Sequence, residues 1–94
     1  MRNYNEVVIT DYNIIYYLDN KVHRTDGPAY IYFYNGFEIV CEIYYLNGKV
    51  HRTDGPAIIN KYANGQVKTE RYYLNHNELT KEEFEEQCKT IMKL

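Results

Sequence analysis

The chain has 94 residues and a mass of 11.3 kDa, which is the size of one small domain. Hydrophobic residues make up 45% and charged residues 26%, a balance that excludes a mostly disordered chain. The net charge of −2 argues against nucleic acid as a partner, because such binding needs a clustered basic surface. It is also too small an acidic excess for a mimic of DNA.

Tyrosine is the residue type that stands out, with twelve copies against three Phe and no Trp. No apolar run approaches the roughly 18–20 residues of a membrane helix. The start, Met1 to Glu6, lacks the hydrophobic stretch of a signal peptide, so we expect a cytoplasmic protein. In that compartment Cys41 and Cys88 are expected to be free thiols.

The first predicted element is an end strand over residues 4–15. Apolar β-branched residues are concentrated in this stretch, as is typical of strands. They are Val7, Val8, Ile9, Ile14 and Ile15.

A repeat of 28 residues follows. Tyr16-Tyr17-Leu18 recurs as Tyr44-Tyr45-Leu46 and again as Tyr72-Tyr73-Leu74, with the same offset both times. The nine residues KVHRTDGPA at 21–29 are repeated without change at 49–57. Such self-similarity indicates a duplicated structural unit. The predicted organisation is one β-repeat domain over 1–94, with repeats at 16–43 and 44–71 and a partial repeat at 72–79.

Each unit has the turn signals of antiparallel β-hairpins. Asn47-Gly48 is the strongest such signal, because both central residues of a type I′ turn need positive φ. Asp19-Asn20 and Asn75-His76 occupy the same slot in the other copies and tolerate that conformation. Asn35-Gly36 and Asn64-Gly65 predict a second turn in each unit. Since strand side chains alternate, each Tyr-Tyr pair places one ring on each face of the sheet.

The C-terminal segment 80–94 predicts a capping α-helix, starting after Thr80 and covering roughly 81–92. Thr80 and Glu83 form a capping box, in which each side chain accepts from the other's backbone N–H. An apolar stripe follows at helical spacing, made of Phe84, Cys88, Ile91 and Met92. The predicted fold class is therefore mainly β: an antiparallel β-hairpin repeat sheet, or meander, of 28-residue units with one C-terminal capping α-helix.

The repeated pattern Tyr-Tyr-x-Asn-Gly-Lys-x-His-Arg-x-Asp-Gly-Pro-Ala resembles tyrosine-rich β-hairpin repeats that are common in bacteriophage and giant-virus proteins. These repeats are broadly similar to MORN repeats. The closing helix, Leu79 to Phe84, is also typical of the phage versions. The resemblance covers about 14–86, departing from the pattern at Asp19-Asn20 and in the third copy, which lacks the HRTDGPA element. It implies a β-repeat fold, a viral origin and no catalytic chemistry.

The His-Arg-Thr-Asp motif has two interpretations. Stacked units would bring His23, Arg24, His51 and Arg52 onto one strip, which suits an anionic, nucleotide-like ligand. The alternative is scaffold: Asp caps backbone N–H groups, Gly supplies flexibility and Pro starts the next strand. A motif copied whole inside a repeat favours scaffold. Its turn residues are Asp26, Gly27, Pro28, Asp54, Gly55 and Pro56.

Metal binding and catalysis are not predicted. His23, His51 and His76 lack zinc-ligand spacing, and no cysteine pair supports them. Cys88 fits the apolar stripe of the helix, where a thiol is inert packing. There is no Gly-rich phosphate loop and no Ser nucleophile elbow. We therefore expect no enzyme activity, no cofactor and no metal.

The tyrosines predict an interface instead, since tyrosine provides large contact area at low entropic cost. Tyr17, Tyr45 and Tyr73 are the candidates. The leading hypothesis is a small phage protein that inhibits a host protein by direct contact, as an anti-CRISPR or another anti-defence factor does. The alternatives are a sponge for a phosphate-bearing nucleotide signal and a structural virion component. The N-terminal strand edge also predicts a homodimer.

Overall fold

A computed structural model describes residues 3–34 and 38–92, of which 90–92 are described by their backbone alone. Within these residues the chain forms ten strands and one helix. They are β1 (Glu6–Ile9), β2 (Asn13–Leu18), β3 (Lys21–Val22), β4 (Tyr30–Tyr34), β5 (Glu38–Ile43), β6 (Tyr45–Leu46), β7 (Lys49–Val50), β8 (Ile58–Lys61), β9 (Val67–Leu74), β10 (Asn77–Leu79) and α1 (Lys81–Met92).

The long strands form an antiparallel meander in the order β1-β2-β4-β5-β8-β9-β10. The short strand β3 pairs with the end of β2, and β6 pairs with β7 as a separate hairpin. Each unit thus consists of a long strand, a tight hairpin at its end and a loop that returns to the meander. The predicted fold class, a mainly β hairpin sheet with one C-terminal helix, is confirmed.

The three tight hairpins close as predicted. Both central residues have positive φ at Asp19-Asn20 (51° and 68°), Asn47-Gly48 (51° and 80°) and Asn75-His76 (50° and 73°). This is the signature of type I′ turns, whose twist matches that of the flanking strands. The second-turn signal Asn64-Gly65 lies between β8 and β9, where only Gly65 has positive φ (90°) and its N–H donates to Tyr62 O. The matching signal at Asn35-Gly36 lies outside the described residues.

The N-terminal end differs from the single strand predicted over 4–15. A turn at Thr10 divides this stretch, so that β1 is the end strand and residues 13–15 begin β2. Thr10 Oγ1 accepts from the backbone N–H groups of Tyr12 and Asn13, both at 3.1 Å. A hydroxyl that bonds the backbone in this way stabilises a turn without Gly or Pro, which is why the pattern of apolar residues missed it.

The two faces of the sheet are covered differently. We call the face that carries Tyr16, Tyr44 and Tyr72 the loop face, because the Arg24 and Arg52 guanidiniums and the helix residue Phe84 pack on these three rings. The face with Tyr17, Tyr45 and Tyr73 is the outer face. In the described part of the chain no helix or loop packs on the outer face, and none of its side chains on the meander strands is buried.

One cross-strand row organises the loop face. Tyr16 bonds to Ala29 and Tyr44 to Ala57 through the backbone, so large and small side chains alternate across the strands. Both alanines are fully buried, which leaves room for the returning loops above them. Because the loops are thin, the core is small. Its buried apolar residues are Ala29, Val50, Ala57, Leu74 and Phe84.

The helix takes the position that the HRTDGPA loop has in the first two units. The predicted capping box is present, since Thr80 N–H donates to Glu83 Oε1 at 2.9 Å and Glu83 N–H donates to Thr80 Oγ1 at 3.1 Å. Phe84 packs on Tyr72 with ring centroids 4.8 Å apart, and the free thiol of Cys88 donates to Thr53 O at 3.3 Å. The side chains of Ile91 and Met92, the rest of the predicted stripe, lie outside the described ones.

Among the described side chains of the helix, Phe84 is the one that is buried against the sheet. We expect Phe84→Ala to lower the free energy of unfolding by about 3 kcal/mol, because it removes a buried ring and leaves a cavity over Tyr72. Urea unfolding followed by circular dichroism measures the change. The matched control Gln87→Ala, at an exposed position on the same helix, is expected to have little effect. Equal effects of the two substitutions would contradict this role.

Candidate functional site

The two motif histidines lie at the joints between successive units. Asn47 N–H donates to Nδ1 of His23 at 2.9 Å, and Asn75 N–H donates to Nδ1 of His51 at the same distance. In both cases the donor is the first residue of the next unit's type I′ turn. Nδ1 must be unprotonated to accept, so each ring is the neutral tautomer with its proton on Nε2.

Backbone bonds repeat the same joint. Arg24 N–H donates to Tyr45 O and Arg52 N–H to Tyr73 O, both at 3.2 Å. Gly48 N–H donates to Val22 O at 2.9 Å, and at the next joint His76 N–H donates to Val50 O at 2.8 Å. The two joints are thus copies of one contact, 28 residues apart in sequence.

The motif arginines are held inside their own loops. Arg24 Nε donates to Asp26 Oδ1 at 2.7 Å, its Nη1 donates to Pro28 O at 3.2 Å, and its Cζ lies 4.2 Å from the centre of the Tyr16 ring. The backbone of Gly27 also lies so close that an added Cβ would stand 2.9 Å from Cζ. The guanidinium is therefore enclosed by a ring, a carboxylate, a carbonyl and a glycine.

Arg52 repeats this arrangement in the second unit. Its Nε donates to Asp54 at 2.8 Å, its Nη1 donates to Pro56 O at 3.0 Å, and Cζ lies 3.9 Å from the Tyr44 ring centre. A Cβ on Gly55 would lie 3.0 Å from Cζ.

These ion pairs also determine the charge state of the aspartates. The hydrogen bond from Arg24 is the largest influence on Asp26 and holds the pKa of that carboxyl below its usual range, helped by a bond from Asn3. The bond from Arg52 lowers the pKa of Asp54 in the same way. The aspartates thus neutralise the arginines of their own loops.

A groove of about 470 Å³ lies between the two loops. Arg24, His51 and Arg52 line it, so three of the four residues of the predicted strip lie around one groove. The aspartates of both loops also line it, which leaves the groove without a net positive charge. His23 lies beneath at the joint and is buried.

The predicted tyrosines Tyr17, Tyr45 and Tyr73 lie half-buried on the outer face. Burial raises the pKa of Tyr45, with smaller contributions from nearby Tyr30 and Cys41. The hydroxyl of Tyr73 donates to Glu78 at 3.4 Å. These three rings are too enclosed by sheet neighbours to be the most accessible aromatic groups.

Three tyrosines that are exposed to a greater degree were not predicted as candidates from the sequence. Tyr32 and Tyr34 on β4 are 42% and 53% exposed, and Tyr12 in the first turn is 63% exposed. All three line a groove of about 740 Å³ at the end of the sheet, together with Ile9 and Asp11. We call this the tyrosine groove. The alternation Tyr30-Ile31-Tyr32-Phe33-Tyr34 was the available signal, because period two assigns these tyrosines to one face.

The described residues contain no group of three or more His, Cys, Asp and Glu side chains placed to hold a metal ion. Nδ1 of His76, the third histidine, accepts from Val50 N–H at 3.3 Å. Within the same residues, no helix has the length and apolar character to cross a membrane.

Comparison with known proteins finds no matching family model, no similar curated protein and no similar solved structure.

The enclosure of Arg52 predicts a coupled pair. We expect Gly55→Ala to lower the free energy of unfolding by about 1–3 kcal/mol, because the new methyl group displaces the guanidinium from Tyr44. In an Arg52→Ala background the same change should lower the free energy of unfolding by much less. A double-mutant cycle by urea unfolding measures the coupling. Additive effects would contradict the proposed enclosure.

The joint at His51 predicts a loss of stability in acid. Burial lowers the pKa of His51 below its ordinary value, so the folded protein binds a proton less readily than the unfolded chain. The stability that His51 contributes through this lowered pKa is therefore complete above about pH 6.5 and falls as the pH decreases. We expect urea unfolding from about pH 8 to about pH 5 to show this decline, and a smaller one in His51→Gln, whose amide accepts without titrating. Identical pH profiles would show that His51 is not responsible.

Proposed function

We propose that this protein is a non-enzymatic binding module that inhibits a host protein by direct contact. The observation that carries the proposal is the aromatic outer face, which has no second layer in the described part of the chain. The molecule is a plate, with Cα extents of 41 × 34 × 17 Å, so this face is a large share of its surface. An uncovered, tyrosine-rich sheet face is the kind of surface on which binding hot spots form.

The tyrosine groove, at the end of the sheet, is the site best placed to anchor a partner. Tyr32 and Tyr34 contribute two exposed tyrosine side chains, and Asp11 adds a negative charge. An apolar side chain flanked by Lys or Arg is the partner chemistry that fits. Tyrosine contacts of this type gain area while ordering few rotatable bonds.

The biological setting of the proposal rests on the resemblance to phage repeats. A phage protein that acts by binding alone and works in the host cytoplasm is suited to anti-defence inhibition. The titratable groups of the repeated motif support a binding role over catalysis, because His23, Arg24, His51 and Arg52 are engaged in internal bonds.

A nucleotide sponge is the weaker proposal. The groove between the loops contains both arginines, yet each is already paired with an aspartate in its own loop. A phosphate would have to compete with these carboxylates for the same donors. A virion component has no support of its own from the geometry.

The test is native mass spectrometry of the tagged protein recovered from bacterial host cells. We expect a stoichiometric protein partner to be retained by the wild type and lost from the Tyr32→Ala/Tyr34→Ala variant. Both rings are largely exposed, so their removal should leave the fold intact, which circular dichroism checks.

The matched control is Tyr62→Ala, which removes an equally exposed ring (52%) in the turn between β8 and β9. It should retain the partner. Retention by the double variant would place the interface elsewhere. A bound mass of a few hundred daltons that Arg24→Ala/Arg52→Ala removes would instead identify the sponge.

A further inference from the structure

Strand β1 is an open edge of the sheet. In the described residues it pairs only with β2, and the three side chains after Glu6 are apolar yet accessible: Val7 is 38%, Val8 36% and Ile9 72% exposed. Of the devices that normally protect an edge strand, it has a single charge at its first residue, Glu6, and a length of four residues, with no Lys, Pro or bulge within it. The residues before it turn away, because Asn3 accepts from Thr25 N–H at 2.6 Å and the Tyr4 ring packs on Tyr16.

The register shows which backbone groups of β1 are free. Phe33 N–H donates to Tyr12 O and Tyr16 N–H to Ala29 O, so even-numbered residues of β2 bond towards β4. Odd-numbered residues of β2 then bond towards β1, as Thr10 N–H does to Asn13 O. Because these bonds alternate along an antiparallel strand, Glu6 and Val8 of β1 bond inwards. The N–H and C=O groups of Val7 and Ile9 point outwards.

We propose that β1 pairs antiparallel with β1 of a second copy, about a two-fold axis at Val8. In this register Val7 faces Ile9 of the second copy, and Ile9 faces its Val7. Both are hydrogen-bonded pairs, so the four outward N–H groups all meet outward C=O groups. The two sheets become one continuous sheet.

Charge favours this register over one with the axis at Val7. With the axis at Val8, Glu6 lies opposite Thr10 of the second copy, and the two Glu6 residues are four positions apart, about 13 Å along the strand. That exceeds the screening length of about 8 Å at physiological salt. An axis at Val7 would place the Glu6 residues only two positions apart, about 7 Å.

The other end of the sheet favours a second copy that closes the assembly. Head-to-tail pairing of β1 with β10 would leave open edges and produce fibres. Strand β10 is short, and its Glu78 is bound to Arg71 by two hydrogen bonds of 2.7 and 2.8 Å. Pairing of β1 with β1 of the second copy covers the apolar edge in a closed dimer.

Disulfide trapping tests the register in a Cys41→Ala/Cys88→Ala background. Val8 meets its own copy as a non-hydrogen-bonded pair with Cα atoms about 4.5 Å apart, within the range for a disulfide. We expect Val8→Cys to form a covalent dimer on mild oxidation. Val7→Cys should not form one. The two copies of residue 7 lie two positions apart along the paired strands, so their Cα atoms are more than about 7 Å apart, which is too far for a disulfide.

Sedimentation velocity tests the dimer itself over a concentration series. We expect the wild type to be dimeric and Val7→Lys to be monomeric. The matched control Val67→Lys, at an exposed valine on β9, should remain dimeric. Val7 does not line the tyrosine groove, so loss of the dimer and loss of a host partner are separate results.

A wild type that stays monomeric throughout the series would overturn the proposal. A dimer that persists in Val7→Lys, or equal crosslinking through Val7→Cys and Val8→Cys, would overturn it as well.

Discussion

The architecture depends on a neutral histidine at each joint between units. A hairpin that ends a long strand has nothing of its own to anchor its turn, and the imidazole of the preceding unit supplies an acceptor for it. His23 and His51 do this at the same distance for Asn47 and Asn75. At the His51 joint the acceptor is lost on protonation, so the contact between those two units is linked to pH through the same atom that positions them.

The arginines show how a charged residue becomes part of a small core. A domain of this size buries few large apolar side chains, and the returning loops need something flat above Tyr16 and Tyr44. The guanidinium is flat, stacks on the rings and bonds its own loop, while the aspartate removes its net charge. Phe84 does the same for Tyr72 without a charge, which explains why the third unit needs no loop.

The molecule is therefore a plate whose two faces are covered differently and whose two end strands, β1 and β10, differ in their surroundings. Loops, arginines and the helix cover one face, so binding capacity is concentrated on the other and on the tyrosine groove. At the ends, α1 follows β10 while β1 is left open. The groove and the open edge meet at Ile9, which belongs to both, whereas Tyr32 and Tyr34 line only the groove and Val7 lies only on the edge.

Much of this fold could be predicted from the sequence alone, because repeated residues at a constant offset must make repeated contacts. The 28-residue unit, the type I′ turns, the capping box and the sheet with one C-terminal helix follow from local propensity. Which side of the sheet the loops cover, and that Tyr32 and Tyr34 stand more exposed than Tyr17, were decided by tertiary structure. The physical reason is that local pattern assigns a side chain to a face, whereas burial depends on what distant segments place upon that face.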